Sequence, residues 1–363
     1  MFKAAKTVDF LFLTYYTDGS KQRKRLSSLI RLYFPLYLSR RSVSFSALRT
    51  ERPINFLCRR RAAEWMIVME KFDSLIIGEV AQDTNVDFDG TVVQAVGGAV
   101  YYSGCAAANM GHKIAVLPKA DLSQLDVTAA FHEKAPSISV FPLNSPHSFV
   151  TKNVYHTADR ERRTSTVDSL IAPYTTDEVP VDQIDAAIWH LAGLAGGDIP
   201  NEMIPFAAKH AMVAIDVQTM LRWVENGGMV YHDWKEKKEL LPYIRFLKTD
   251  AVEAEILTGL TDRAEAAKVL YGWGAKEILI THNTEVLVYD GHEIYTCPIK
   301  ARNLSGRTGR GDTTFAGYIN ERLTKDIPTA LQTATALVSL KMETPGPFTG
   351  TRQDVEDYIK LMY

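Results

Sequence analysis

The residues best suited to chemistry lie in a glycine-rich segment, residues 306–317, that leads into an amphipathic helix. Glycines let backbone N–H groups approach an anion, and a helix N-terminus adds partial positive charge, so this segment is suited to bind phosphate. We predict that Asp312 stands at the N-cap of that helix. Capping is a common use of aspartate, but a carboxylate beside an anion site is also what phosphoryl transfer to a hydroxyl requires.

The elements around this segment follow the rhythm of an α/β fold. Short apolar runs between turn residues predict buried strands, and periodic segments between them predict helices. This alternation is typical of βαβ units, so we expect a mostly parallel central sheet flanked by helices. The predicted strands span 74–80, 113–117, 186–194, 212–217, 245–248 and 277–281, with a ribbon at 286–289 and 293–299. Helices are predicted at 262–273, near Pro200, after Asp312 and from Pro328.

Two further segments, about 84–96 and 148–169, alternate polar and apolar residues without enough hydrophobicity for a strand buried on both faces. They are predicted to form a small β-sheet that covers a cleft as a lid. By the residues alone, an ordinary exposed hairpin edge is the more common outcome of such a pattern.

The stretch Gly309-Arg310-Gly311-Asp312 resembles the C-terminal signature of the PfkB family of ribokinase-like carbohydrate kinases. The resemblance extends over about residues 72–348 and implies a ribokinase-like fold. It also implies that Asp312 is the base that deprotonates the acceptor hydroxyl. The backbone amides of Gly309, Arg310 and Gly311 would then form the anion hole.

The same resemblance assigns further residues. Asp83, Gly97 and Gly98 match acceptor-binding positions. Glu253, with Asp250 where the family has Asn, matches the position that orients hydrated Mg²⁺. Nucleotide binding is assigned to Thr281, Gly309 and Gly311, and the implied cofactors are ATP and Mg²⁺. Softer matches are 216–218 with Arg222 beyond it, and the closing segment 341–347.

Some positions depart from the family pattern. Tyr102 stands where relatives usually have Asn, so acceptor contacts are expected to differ. The glycines expected after Thr281 are absent, which affects the predicted nucleotide geometry. Arg307 stands where many relatives have Asp, which leaves a monovalent-cation requirement open.

Charge is distributed unevenly along the chain. The net charge is -2, but residues 1–65 carry 14 Lys and Arg against four Asp and Glu, which leaves an acidic body. We interpret 1–65 as a basic leader, unstructured or from a mis-assigned start, and 66–363 as the kinase domain. A transit peptide and a nucleic-acid arm are the alternatives for the leader. The acidic body argues against nucleic acid as a partner.

The predicted function is ATP-dependent phosphorylation of a hydroxyl on a sugar, polyol or sugar acid. A nucleoside kinase of the same fold and a catalytically weak metabolite sensor are the alternatives. No P-loop and no dinucleotide fingerprint occurs in the sequence. No membrane segment is expected, a homodimer through the lid is left open, and the three scattered cysteines suit the cytoplasm, or an organelle if residues 1–65 are a transit peptide.

Overall fold

The computed structural model describes residues 70–157 and 163–363, together with Phe10–Leu11 and Leu29–Ile30. The chain divides into two units, Met1–Met66 and Ile67–Tyr363. In the first unit, strands β1 (Phe10–Leu11) and β2 (Leu29–Ile30) pair antiparallel. The rest of the predicted basic leader lies outside the described residues.

The second unit is built on a large sheet whose central strands are all parallel. Its order is β18-β17-β16-β15-β12-β11-β3-β6-β7, with β8 also on β6, and only β17 and β18 run antiparallel to their neighbours. The strands are β3 (Glu70–Glu79), β6 (Ile114–Ala120), β7 (Ser139–Val140), β8 (Leu143–Asn144), β11 (Ile184–Leu191), β12 (Met212–Asp216), β15 (Ile244–Asp250), β16 (Glu277–Thr281), β17 (Glu285–Tyr289) and β18 (Ile294–Pro298).

A second, six-stranded sheet has the order β13-β14-β10-β9-β4-β5. All its pairs are antiparallel except β4 with β9. Its strands are β4 (Ala81–Val86), β5 (Val92–Gly97), β9 (Phe149–Tyr155), β10 (Arg163–Ser169), β13 (Arg222–Glu225) and β14 (Gly228–Tyr231). The first four fall in or beside the two segments predicted to form a lid.

Helices cover both faces of the large sheet, which explains why its strands are apolar on both sides. Ten helices are described: α1 (Ala99–Asn109), α2 (Val127–Lys134), α3 (Met203–Ala207), α4 (Gln218–Leu221), α5 (Lys237–Leu240), α6 (Ala251–Thr258), α7 (Arg263–Gly272), α8 (Arg310–Glu321), α9 (Ile327–Lys341) and α10 (Arg352–Met362). One buried cluster joins the sheet to α3, α6 and α7. Others join it to α1, α2, α8 and α9.

The predicted α/β architecture is confirmed, with a large mostly parallel sheet, flanking helices and a second sheet. The hairpin of β13 and β14 was not predicted; from the sequence, only a connection was expected between the strands at 212–217 and 245–248. Its strands have four residues each and depend on one pairing with β10, where Thr166 faces Gly228. None of the helices in the described part of the chain is both long and apolar enough to cross a bilayer.

Candidate active site

A cleft of about 660 Å³ lies where the carboxyl ends of the parallel strands face the second sheet. This is the expected position for a ligand site in an open α/β sheet. Most of the site residues predicted from the sequence meet here. The cleft is lined by Asp83, Gly98, Asp250, Thr281, Gly309, Arg310, Gly311 and Asp312. Gly97 and Glu253 lie behind this lining.

The glycine-rich loop turns sharply into α8. Gly309 is the N-cap, with φ of 76°, a left-handed conformation that glycine adopts at low cost. A Cβ at Gly309 would also collide with the ring of Tyr102. The loop therefore requires glycine at this position for its conformation and for the close approach of Tyr102.

The prediction that Asp312 is the N-cap is wrong. Asp312 is the third residue of α8, in the first turn, and no side chain caps the helix. Sequence rules assign caps to aspartate, but here the left-handed glycine reverses the chain three residues earlier. The first turn is still the part of a helix where the dipole favours a negative charge.

Asp312 lies in a strongly cationic environment. Burial raises the pKa of Asp312 above its ordinary value, while the positive charges of Lys248, Arg222 and Lys341 oppose that shift. A carboxylate with a raised pKa is a stronger base than an ordinary aspartate, and the cations keep its ionised form accessible. The arrangement is suited to accept a proton beside an anionic group.

The second sheet forms the wall of the cleft that carries Asp83. Asp83, on β4, accepts a hydrogen bond of 2.6 Å from the hydroxyl of Thr151 on β9. A Cβ at Gly97 would collide with the Asp83 carboxylate, and Gly98, with φ of 106°, lies against the Glu79 carbonyl. The glycine pair therefore lets Asp83 and the start of α1 approach each other closely.

Several polar side chains on this sheet were not predicted as site residues. Asn153 donates to Asn85 at 3.2 Å and accepts from Ser165 at 2.6 Å, and all three line the cleft. Thr151, on the same strand as Asn153, also lines the cleft. The polar alternation of 148–169 was the available signal, because it places alternate side chains on one face.

A buried charge network supports the floor of the cleft. The Lys248 ammonium lies 2.9 Å from Asp216 and 3.8 Å from Glu253, and Glu253 also pairs with Arg222 at 2.8 Å. Burial and Lys248 have opposite effects on the pKa of Asp216, and burial dominates and raises it to about 7. Burial alone would raise the pKa of Glu253, but Lys248 and Arg222 hold it below its ordinary value.

The residues predicted for Mg²⁺ have distinct surroundings. Both Glu253 oxygens accept hydrogen bonds, one from Arg222 and one from the Asp250 N–H, in a capping box. Asp250 reaches the cleft and also caps the N–H of Glu253 at 2.8 Å. Within the described ranges, no group of three or more His, Cys, Asp or Glu gathers at a metal-binding distance. This donor set fits a Mg²⁺ ion that would be held mainly by phosphates and water. Asp250 would be the protein carboxylate nearest to such an ion, and Glu253 orients Asp250 through the capping box.

Another part of the cleft is lined by Thr281 and by Asn283 in the turn after β16. The Thr281 hydroxyl donates to the Thr249 carbonyl at 3.4 Å. Arg310, from the glycine-rich loop, donates to the side chain of Asn283 at 3.0 Å. An arginine therefore bridges the loop and the turn in which glycines were expected.

Comparison with known proteins agrees with this geometry. Residues 148–353 match the pfkB family carbohydrate kinase domain. A solved pyrophosphate-dependent kinase in the ribokinase family, in a sulfate complex, is 33% identical, with 78% of this chain and 99% of that chain covered and a TM-score of 0.71. The structure of a pyrophosphate-dependent kinase in that family with a pyrophosphate analog and myo-inositol is 32% identical over the same shares, with a TM-score of 0.70.

A curated relative, the cytidine kinase of Thermococcus kodakarensis, is 24% identical over 68% of this chain and 87% of its own. These matches confirm the predicted ribokinase-like fold and a kinase as the general class. Because the family domain covers more than half of the chain, and a solved kinase is 33% identical over most of it, this protein belongs to the pfkB family of carbohydrate kinases.

Proposed function

We propose that this protein transfers a phosphoryl group to a hydroxyl of a small polyhydroxylated molecule, with Asp312 as the general base. The observation that carries the proposal is one cleft that is lined both by Asp312 with the glycine-rich loop and by a row of polar side chains on the second sheet. The raised pKa of Asp312 supports the role of base.

In the proposed reaction, the acceptor lies between Asp83 and Asp312, with its other hydroxyls on the polar row of the second sheet. Asp312 takes the proton of the reacting hydroxyl as the hydroxyl oxygen bonds to the phosphorus of the donor. The bond from that phosphorus to the rest of the donor breaks, so ADP leaves from ATP, or phosphate leaves from pyrophosphate. The amides of the anion hole and the nearby cations stabilise the charge of the transferred group. Mg²⁺, when bound, neutralises charge on the donor phosphates. Product release returns the proton to solvent.

The acceptor class is supported by the lining of the second sheet. Asn85, Asn153 and Thr151 offer donors and acceptors to several hydroxyls, which suits a polyol or cyclitol. A related solved kinase carries myo-inositol. A nucleoside is the second candidate, because a curated relative is a cytidine kinase and because Tyr102, Phe149 and Tyr155 offer apolar surface to a base.

ATP with Mg²⁺ is the donor predicted from the sequence, and it stays a prediction. One observation favours pyrophosphate as a second candidate donor: Arg310 reaches across to Asn283 at the turn that lacks the expected glycines. An extra cation suits a small, highly charged donor, and two related solved kinases are pyrophosphate-dependent.

A substrate panel tests the proposal. ATP and pyrophosphate are each combined with myo-inositol, ribose, a sugar acid and cytidine, and the phosphorylated acceptor is quantified by phosphorus NMR. We expect one acceptor class to be phosphorylated by one of the two donors in a Mg²⁺-dependent reaction. Binding of an acceptor in calorimetry without turnover from either donor would favour the metabolite-sensor alternative.

A further inference from the structure

Lys341 is a buried lysine beside the anion-hole loop whose role the proposed reaction does not explain. It ends α9 and is 1% exposed. Its ammonium donates to the Gly306 carbonyl at 2.6 Å and to the Thr308 carbonyl. The ammonium also lies 5.1 Å from the ring centroid of Tyr102. Its surroundings are thus two carbonyl oxygens and a π face.

These two carbonyls belong to the peptides whose N–H groups are those of Arg307 and Gly309. In a planar trans peptide, the C=O and N–H point in opposite directions. A lysine that holds both carbonyls therefore turns both N–H groups away from itself. The loop is held on the same side by the Gly306 N–H, which donates to the Met342 carbonyl at 2.8 Å.

A cation held by backbone carbonyls and an aromatic face has the coordination that proteins offer to a potassium or ammonium ion. Lys341 supplies such a cation from the chain itself. The carboxylate of Asp312, on α8, faces this charge and favours the protonated form of Lys341. The phenol of Tyr102, from α1, also faces it.

We propose that the Lys341 ammonium is a built-in monovalent cation that positions the Gly309 N–H of the anion hole, together with the Arg307 N–H before it, so that anion binding needs no added potassium or ammonium. This proposal rests on the anion-binding step of the proposed function and extends it to a positioning residue. Burial lowers the pKa of Lys341 to about 7, against the attraction of Asp312. Its charge is therefore lost as the pH rises through neutrality.

The test uses sulfate, which does not titrate near neutral pH, as the anion, and calorimetry of the full chain as the readout. At about pH 6.5, Lys341→Ala should weaken sulfate binding about tenfold, because the two carbonyls lose a charged donor. Potassium or ammonium chloride should restore most of that loss in the variant and leave the wild type unchanged. Choline chloride, at the same ionic strength, should restore nothing.

The pH profile separates positioning from packing. Burial also raises the pKa of Asp216 to about 7 and raises the pKa of Asp312. The relevant quantity is therefore the difference between the wild type and the potassium-rescued variant, which both keep these carboxyl groups. From about pH 6 to about pH 8.5, the sulfate affinity of the wild type should fall more than that of the potassium-rescued variant. The lysine ammonium loses its proton over this range, whereas a potassium ion keeps its charge. Lys341→Gln, a milder variant, should give intermediate affinity without that additional fall.

Lys119 provides a matched control. It is also buried, and it donates to the Pro173 carbonyl and to Glu178, away from the cleft. Potassium should not change sulfate affinity in Lys119→Ala. Unchanged sulfate binding in both Lys341 variants, or a loss that no cation restores, would overturn the proposal. Sulfate binding that follows the proposal, without turnover in the substrate panel, would instead contradict only the proposed function.

Discussion

At the residue scale, Asp312 shows how the same side chain type serves different purposes in one chain. At Asp326 the carboxylate caps α9 by accepting from the Thr329 N–H at 3.0 Å. At Asp312 the carboxylate caps nothing, because Gly309 is the N-cap of α8. Its environment of burial and nearby cations is suited to proton transfer instead.

Replacing Asp312 by Asn tests the general-base assignment. Asn is of similar size but cannot take the acceptor proton, so we expect kcat to fall by about 10²-fold or more while donor binding persists. Because the folded pKa of Asp312 is raised, ionising it at neutral pH costs stability. The melting temperature of Asp312→Asn should therefore equal or exceed that of the wild type.

The matched control for this substitution is Asp326→Asn. Asn caps helices about as well as Asp, so both kcat and melting temperature should stay near wild type. Steady-state kinetics on the acceptor found in the panel, with thermal melts of each variant, give the answer. A near-normal kcat for Asp312→Asn would show that another group is the base.

At the element scale, the loop after β11 is held by two buried acids. Glu79 accepts from the Leu194 N–H at 2.5 Å, and Asp198 accepts from the Ala195 N–H at 2.8 Å. Burial, and then the neighbouring Asp198, raise the pKa of Glu79, and burial raises that of Asp198. Burial is the main cause of both shifts, and a hydrogen bond from the protonated Glu79 to Asp198 adds to the shift of Glu79 and opposes that of Asp198. Leu194 carries this loop to the wall of the cleft.

This pair predicts a pH-dependent stability. Because both folded pKa values are raised, the stabilisation is complete below the unfolded values and is lost as the pH rises through the folded ones. In Glu79→Gln, the side-chain amide offers an N–H to Asp198 at every pH. We expect its melting temperature to exceed that of the wild type at alkaline pH, with the difference narrowing towards acidic pH.

Thermal melts across that pH range, with the exposed Glu133→Gln as control, measure the effect. Glu133 pairs with the adjacent Lys134 and is 70% exposed, so its variant should follow the wild-type curve. Parallel curves for Glu79→Gln and wild type would show that no shared proton holds the loop.

At the scale of the whole molecule, the two sheets form one unit, Ile67–Tyr363, whose first described strand begins at Glu70. We propose that residues 1–65 contribute no stability to this unit, as their composition suggests. A chain that starts at Met66 should then keep the melting temperature and the sulfate affinity of the full chain. Differential scanning calorimetry compares the two, and a drop of several degrees on truncation would contradict the proposal.

The sequence by itself determined the features that depend on local pattern. The apolar runs at 74–80 and 277–281 predicted buried parallel strands, because a strand covered on both faces must be apolar on both. The glycines before Asp312 predicted an anion site, and the similarity to the PfkB family predicted the fold and the kinase class that the comparisons confirm. The roles of individual site residues stay predictions, although most of them line one cleft.

Only the tertiary structure decided the features that join distant parts of the chain. The hairpin of β13 and β14 exists through its pairing with β10, and strands this short have no reliable local signal. Glu79 and Asp198 lie over a hundred residues apart, and the sequence around each of them does not predict that they are buried together. Lys341 looks like an ordinary basic residue at the end of a helix. Its partners, the Gly306 and Thr308 carbonyls, reach it only because the loop before α8 folds back on the end of α9.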